Sequence, residues 1–259
     1  DKNISHVTSF RFASNTLFEN SFSELDEDNG IVDWHKNEIL KLLEEKNLMD
    51  LIRVFNSPNN TKPANMASFL FGLKDNTIPQ RAGVNVKAID FNYILQEDED
   101  FKIVFIIFYT AIVYHIAQIV KSLNLEVPRH ISFSGNGSKV IRVITTDSKL
   151  LARYTKMVFE KLLGKPYGKE LDLLGLEKDS NPKESTCKGG IIGTEDEDNR
   201  DKTIVFKSDC TGLVTPKDTY ANIKDDYKRR TVTAVEDFFK FVLVDMNSAF
   251  NFDKNFGVK

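Results

Sequence analysis

The stretch most capable of binding a ligand consists of five consecutive residues: Gly135, Asn136, Gly137, Ser138 and Lys139. The two glycines carry no Cβ and can adopt a positive φ, which a tight turn requires. Backbone N–H groups in such a turn can cradle a polar ligand group, and the missing side chains let the ligand approach. An ordinary connection between a strand and a helix has the same pattern, so both interpretations stay open.

The elements on either side must position this turn. Residues 131–134 alternate apolar side chains with serines, which predicts a short half-buried strand. Apolar residues from 139 to 144 predict the start of a helix directly after the turn. An amphipathic helix is predicted from Leu150 to Leu163, closed by Gly164.

A second motif follows further along the chain. Asn181, Pro182 and Glu184 have the order of an N-cap, a first helical residue and a third helical residue. The helix they predict runs into the small residues Gly189 and Gly190. A strand, the Ser-Gly-Asn-Gly-Ser-Lys turn, a helix and an Asn-Pro-Lys-Glu helix together resemble the end of the actin-like ATPase superfamily. The resemblance is closest to the heat-shock-chaperone ATPases.

The resemblance implies an α/β fold, namely a ribonuclease-H-like actin-type ATPase lobe in which helices flank a mixed sheet. Residues 1–30 and 81–194 would form the core of the second, carboxyl-terminal lobe. Residues 31–80 would form an inserted, mainly helical subdomain, and residues 195–259 a helical extension with no counterpart. We therefore expect the chain to be a fragment of a longer protein.

The resemblance also implies a function. Residues 135–138 would hold the ribose and adenine of ATP or ADP, and Lys139 stands where the chaperones carry an adenine-stacking arginine. The phosphate loops and the Mg²⁺ site are expected outside this chain, so its partner would be the missing first lobe, and hydrolysis is not expected here. Whether the full-length protein is an ATPase stays open. The alternative is a degenerate, non-catalytic member that acts as an assembly or scaffold module for a protein partner.

Composition narrows the function classes. The chain has 259 residues and a net charge of −3, so no overall basic field predicts a nucleic-acid partner. Cys187 and Cys210 are too few for a disulfide scaffold, which favours a reducing, cytoplasmic location. The sequence contains no P-loop, no His-Glu-x-x-His and no Gly-x-Ser-x-Gly, and its histidines lack metal-ligand spacing. No catalytic or metal-binding residue is therefore predicted.

The most apolar stretch, Ile103–Val120, is 18 residues long and lies at the lower edge for a membrane span. It contains several polar side chains, among them those of Tyr109, Tyr114, His115 and Gln118. These groups would be costly in lipid, which favours a helix buried in the protein. A membrane-attached protein is the third possibility.

The remaining patterns predict further elements. Alternation predicts strands over Ile4–Phe12 and Thr203–Phe206, and helical periodicity covers Ile31–Phe55 and Asp218–Phe250. A small basic cluster, residues 228–230, is interpreted as part of a solvated helix face.

Overall fold

The computed structural model describes residues 4–7, 30–45, 91–176, 203–206 and 220–259. These ranges contain four strands, seven α-helices, a 3-10 helix and a π-helical segment. In chain order they are β1 (Ile4–Val7), α1 (Gly30–Glu45), α2 (Phe91–Gln96), α3 (Glu99–Ser122), β2 (His130–Ser132), the 3-10 helix (Asn136–Val143), α4 (Ser148–Leu163), β3 (Asp172–Leu174), β4 (Thr203–Phe206), α5 (Tyr220–Lys240), the π-helical segment (Phe241–Met246), α6 (Asn247–Phe250) and α7 (Phe252–Phe256).

The chain divides into two compact units. The larger comprises Phe12–Thr186 with Phe252–Lys259, and the smaller comprises Asp1–Arg11 with Cys187–Asn251. The larger unit therefore contains the candidate turn, together with α1 to α4, β2, β3 and α7. Most of the predicted helical subdomain, and the helix predicted from Asn181, lie outside the described residues.

The larger unit contains two parallel strands joined through helices. In the pairing of β2 with β3, Ile131 lies opposite Leu173, and the chain between the strands passes through the 3-10 helix and α4. Parallel neighbours need such a crossover because the chain must return to the same end of the sheet. The backbone N–H of Phe133 donates to the carbonyl of Leu174 at 2.9 Å, so the ladder extends one residue beyond β2. The strand predicted over 131–134 is present as His130–Ser132, so it begins one residue earlier and ends two residues earlier than predicted.

The segment after the turn is helical, as predicted; it is a 3-10 helix and begins at Asn136, within the predicted turn. Its apolar side chains, those of Val140, Ile141, Val143 and Ile144, are buried. Residues three apart eclipse one another in a 3-10 helix, so these four form two stacked pairs on the core side. The carbonyl of Arg142 accepts a hydrogen bond from Gln96 Nε2 at 2.8 Å. This carbonyl is therefore bonded by a side chain from outside the segment. In an α-helix it would instead accept the backbone N–H of the residue four positions later.

Local capping sets the limits of α4. The carboxylate of Asp147 accepts hydrogen bonds from the backbone N–H groups of Lys149 and Leu150, at 2.9 and 3.0 Å. At the other end Gly164 has φ +67°, the left-handed conformation in which glycine commonly ends helices. The helix predicted from Leu150 to Leu163 is confirmed, and its first turn starts at Ser148.

The helices α3 and α4 cross through two buried tyrosine–threonine pairs. The Tyr109 hydroxyl lies 2.5 Å from Thr155 Oγ1, and the Tyr154 hydroxyl lies 2.6 Å from Thr110 Oγ1. Each helix therefore contributes one Tyr-Thr dipeptide, and each tyrosine bonds the threonine of the other helix. Both threonines also donate to a carbonyl one turn earlier in their own helix. All four hydroxyls are satisfied, so the crossing is buried without orphaned polar groups.

We expect stability to fall in alkali because of these tyrosines. Burial raises the pKa of Tyr109 and of Tyr154 far above the ordinary value of 10.0, although the Thr155 and Thr110 hydrogen bonds oppose part of that rise. Burial likewise raises the pKa of Tyr167 to about 12. Tyrosine in the unfolded chain ionises first, so the stabilisation is complete below pH 10 and is lost as pH rises from there towards the folded pKa values. Because of Tyr109 and Tyr154 together, the free energy of unfolding should fall by about 2–3 kcal/mol per pH unit above pH 10.

Urea denaturation near pH 9, 10 and 11 measures this loss. Tyr109→Phe should lower the slope by about 1.4 kcal/mol per pH unit, since one ionising group is removed. Equal slopes for the variant and the parent chain would contradict the assignment, whatever other groups titrate in the same range.

Along α3, buried residues recur at helical spacing, with half-buried residues between them. Its buried residues include Phe101, Phe105, Tyr109, Val113 and Ala117. Within the described part of the chain, α3 is the one helix long and apolar enough to cross a membrane by length and composition. The core helix of a soluble protein passes the same test, so the test does not distinguish the two. Burial in the protein remains our prediction for this segment.

The carboxyl-terminal residues complete the core of the larger unit. The rings of Phe252 and Phe256 contact Tyr154 edge-on, with centroids 5.8 and 5.3 Å away. The carbonyl of Phe256 accepts a hydrogen bond from Lys102 Nζ at 3.0 Å, and Asn255 Oδ1 accepts one from Arg153 at 2.8 Å. α7 is thus bound to both α3 and α4.

In the smaller unit β1 pairs with β4 in parallel, and Ile4 lies opposite Thr203. Both strands were predicted; the rest of the first prediction, as far as Phe12, lies outside the described residues. The helical prediction over Asp218–Phe250 is confirmed from Tyr220 onward, where α5, the π-helical segment and α6 follow without a break.

Candidate functional site

The candidate turn lies at the carboxyl end of β2. Gly135 has φ +82° and ψ 152° there, a region of backbone space that is essentially restricted to glycine. In sheets of parallel strands, ligands bind in the crevice beyond the carboxyl ends of the strands. The turn therefore stands where a parallel sheet offers a ligand access to its backbone.

The turn is closed by a hydrogen-bonded serine. The carbonyl of Gly135 accepts the backbone N–H of Ser138 at 3.0 Å and the hydroxyl of Ser138 at 2.8 Å. A Cβ placed on Gly135 would meet no atom within 4 Å. The Gly135 backbone therefore faces open space, and the two hydrogen bonds from Ser138 fix the conformation of the turn.

The other predicted site residues begin the 3-10 helix. Asn136 and Gly137 are its first two residues, and Lys139 is half-buried in the same turn of helix. The first backbone N–H groups of a helix have no partner within it, and they favour negatively charged or strongly polar ligand groups. The five predicted residues thus form one continuous backbone surface at the strand end.

Sequence reasoning missed Gly175, which supports the turn. It directly follows β3, has φ +85°, and a Cβ there would lie 2.2 Å from the carbonyl oxygen of Phe133. Each of the two parallel strands is therefore followed by a glycine with positive φ: Gly175 directly after β3, and Gly135 three residues after the end of β2. A glycine at the end of an apolar run was the available signal, but the contact that requires it is tertiary.

Two further contacts fix the 3-10 helix against the strands and α2. The side chain of Arg142 donates through Nε to the carbonyl of Leu176 at 3.2 Å. Gln96, the last residue of α2, donates to the carbonyl of Arg142. The 3-10 helix that begins in the turn is therefore held at Arg142 by one contact with α2 and one with the segment after β3.

The titratable groups of the described residues suggest no metal chemistry. Across the described ranges no cluster of three or more His, Cys, Asp and Glu side chains could hold a metal ion. His130 Nδ1 and Asp172 Oδ2 approach to 3.4 Å, but both side chains are exposed and lie at the amino ends of their strands, opposite the turn. What the arrangement offers is backbone recognition of a small polar ligand.

No model of a known protein family, no curated protein and no solved structure matches this chain.

Proposed function

We propose that the larger unit is the adenine-nucleotide-binding lobe of an actin-like or chaperone-like ATPase, with ribose and adenine held at residues 135–139. The observation that carries the proposal is Gly135. It adopts a glycine-restricted conformation at the carboxyl end of a parallel strand, and its backbone faces open space. A strand, this turn and a returning helix are also the arrangement that the resemblance implies.

The chemistry of the turn is confined to the adenosine end of the ligand. The backbone of residues 135–138 would approach the ribose and the adenine, while the Ser138 hydroxyl stays bonded to the carbonyl of Gly135. Lys139 stands where the resemblance places an adenine-stacking side chain. The phosphates and Mg²⁺ would be bound by loops outside this chain. Charge-assisted contacts to phosphate are among the strongest hydrogen bonds, so without them adenosine and ATP should bind with similar, weak affinity. Hydrolysis should be undetectable, since the sequence contains neither of the phosphate loops that would hold a γ-phosphate for attack by water.

Calorimetry with adenosine and with ATP tests the proposal. Gly137→Val introduces a branched side chain at the start of the 3-10 helix and should abolish binding. Lys139→Arg should tighten binding several-fold, because a planar guanidinium stacks on an aromatic base better than an ammonium does. Lys161→Arg, an exposed substitution on α4, is the matched control and should leave binding unchanged.

The outcomes separate the possibilities. ATP binding that is tight and indifferent to both turn variants would place the nucleotide elsewhere. No binding to a longer protein that carries both phosphate loops would favour the alternative, a non-catalytic scaffold module. One observation supports that alternative: the exposed apolar side chains on α5, among them Tyr227 and Phe239.

A further inference from the structure

The 3-10 helix that begins in the candidate turn is longer than most helices of its kind. It covers eight residues, Asn136–Val143. Runs of more than three or four residues are uncommon, because the hydrogen-bond geometry of a 3-10 helix is poorer than that of an α-helix. Over the six steps from Asn136 to Arg142, a rise of about 2.0 Å per residue makes the 3-10 form about 3 Å longer than the α-helical form. Contacts from outside the helix must therefore favour the longer form.

Such contacts are found at the carboxyl end of the helix. The side chain of Arg142 donates through Nε to the carbonyl of Leu176 at 3.2 Å, and Gln96 Nε2 donates to the carbonyl of Arg142 at 2.8 Å. Leu176 lies two residues beyond the end of β3, and β3 is paired with β2, the strand that leads into the turn. The helix thus extends from the end of one strand to the end of its neighbour, and both ends are attached.

The form of the helix determines which backbone N–H groups the turn offers to a ligand. The carbonyl of Gly135 accepts the N–H of Ser138, three residues later, at 3.0 Å. In an α-helix the same carbonyl would accept the N–H of Lys139, and the N–H of Ser138 would have no partner within the helix. A change from one form to the other therefore changes both the available donors and the course of the backbone at residues 135–139.

We propose that Gln96 and Arg142 are positioning residues for the candidate nucleotide site. Their contacts attach the carboxyl end of the helix to α2 and to the segment after β3, and this keeps residues 136–143 in the 3-10 form. Neither side chain has to contact the ligand. The inference rests on the proposed function for the identity of the ligand, whereas the control of the turn by these two residues is measurable without one.

Gln96→Met and Arg142→Met each remove one attachment and keep a long, unbranched side chain. Loss of one hydrogen bond to a carbonyl should shift the ratio of the 3-10 form to the α-helical form about tenfold, and the double variant should shift it about a hundredfold. Gln96→Lys is the conservative variant, since it supplies another N–H donor, and it should behave like the parent chain. Tyr93→Gln is the matched control on α2, because Tyr93 is 63% exposed.

Nuclear magnetic resonance measures the form of the helix through the scalar coupling across its first hydrogen bond. The parent chain should show a coupling between the nitrogen of Ser138 and the carbonyl carbon of Gly135. In the double variant this coupling should be lost, and one between the nitrogen of Lys139 and the same carbon should replace it. A general loss of stability does not change the hydrogen-bond partner in the folded chain. A double variant that keeps the Ser138 coupling therefore overturns the proposal, as does a Gln96→Lys chain that loses it.

Calorimetry with adenosine connects the turn to the ligand. The apparent Kd rises as the binding-competent form becomes rarer, so the double variant should bind adenosine at least about tenfold more weakly than the parent, and Tyr93→Gln should bind it equally well. Equal affinities of the parent and the double variant would mean that Gln96 and Arg142 do not position the site. A parent chain that binds no adenosine contradicts the proposed function instead, and the coupling measurement then decides the role of the two residues in the turn.

Discussion

Gly175→Ala should lower the free energy of unfolding by about 3–5 kcal/mol. Two penalties combine at this position. A non-glycine residue is strained at φ +85°, and the new Cβ would stand 2.2 Å from the carbonyl oxygen of Phe133. That oxygen belongs to the backbone that leads from β2 into the turn, so relieving the overlap means separating β2 from β3. Urea denaturation followed by circular dichroism measures the loss.

Gly135→Ala is the matched control for the steric part of that loss. Gly135 has a similar φ, +82°, but a Cβ there meets no atom within 4 Å. It should cost only the conformational strain, about 1–3 kcal/mol. The difference between the two variants then measures the contact between Gly175 and Phe133. Equal losses would mean that β3 does not approach β2 closely at this point.

Phe256→Ala should lower the free energy of unfolding by a similar amount, about 3–5 kcal/mol. The ring is 4% exposed and packs edge-on against Tyr154 and beside Phe252. Its loss leaves a cavity beside Tyr154, whose hydroxyl is held by the hydrogen bond to Thr110, so the ring does not move freely into the space.

Asp253→Ala is the control for Phe256→Ala, because it removes an exposed side chain from the same short helix. It should change stability by no more than about 0.5 kcal/mol. If the two variants were equally stable, residues 252–256 would not be part of the core of the larger unit.

Several elements are determined by signals that act between near neighbours in the chain. The extent of α4 is predictable because its caps, Asp147 and Gly164, act on residues within one turn of themselves. β2 is predictable because a strand with one buried face alternates apolar and polar residues, and this alternation is visible in the sequence itself. The five residues of the candidate turn are predictable as a group because they are contiguous.

Contacts between residues far apart in the chain determine the features that these local signals do not. Apolar residues at 140, 141, 143 and 144 suit both an α-helix and a 3-10 helix, and contacts with Gln96 and Leu176 accompany the second form. The pairing of Tyr109 with Thr155 is not predictable from the sequence, because each partner is an ordinary helical residue on its own.

Gly175 shows the physical reason most directly. The sequence determines that the residue after β3 has no side chain. That it must have none depends on an oxygen of Phe133, far away in the chain, which approaches only when β2 and β3 pair. Conformational freedom is a property of one residue, whereas steric exclusion belongs to a pair, and the fold alone brings the pair together.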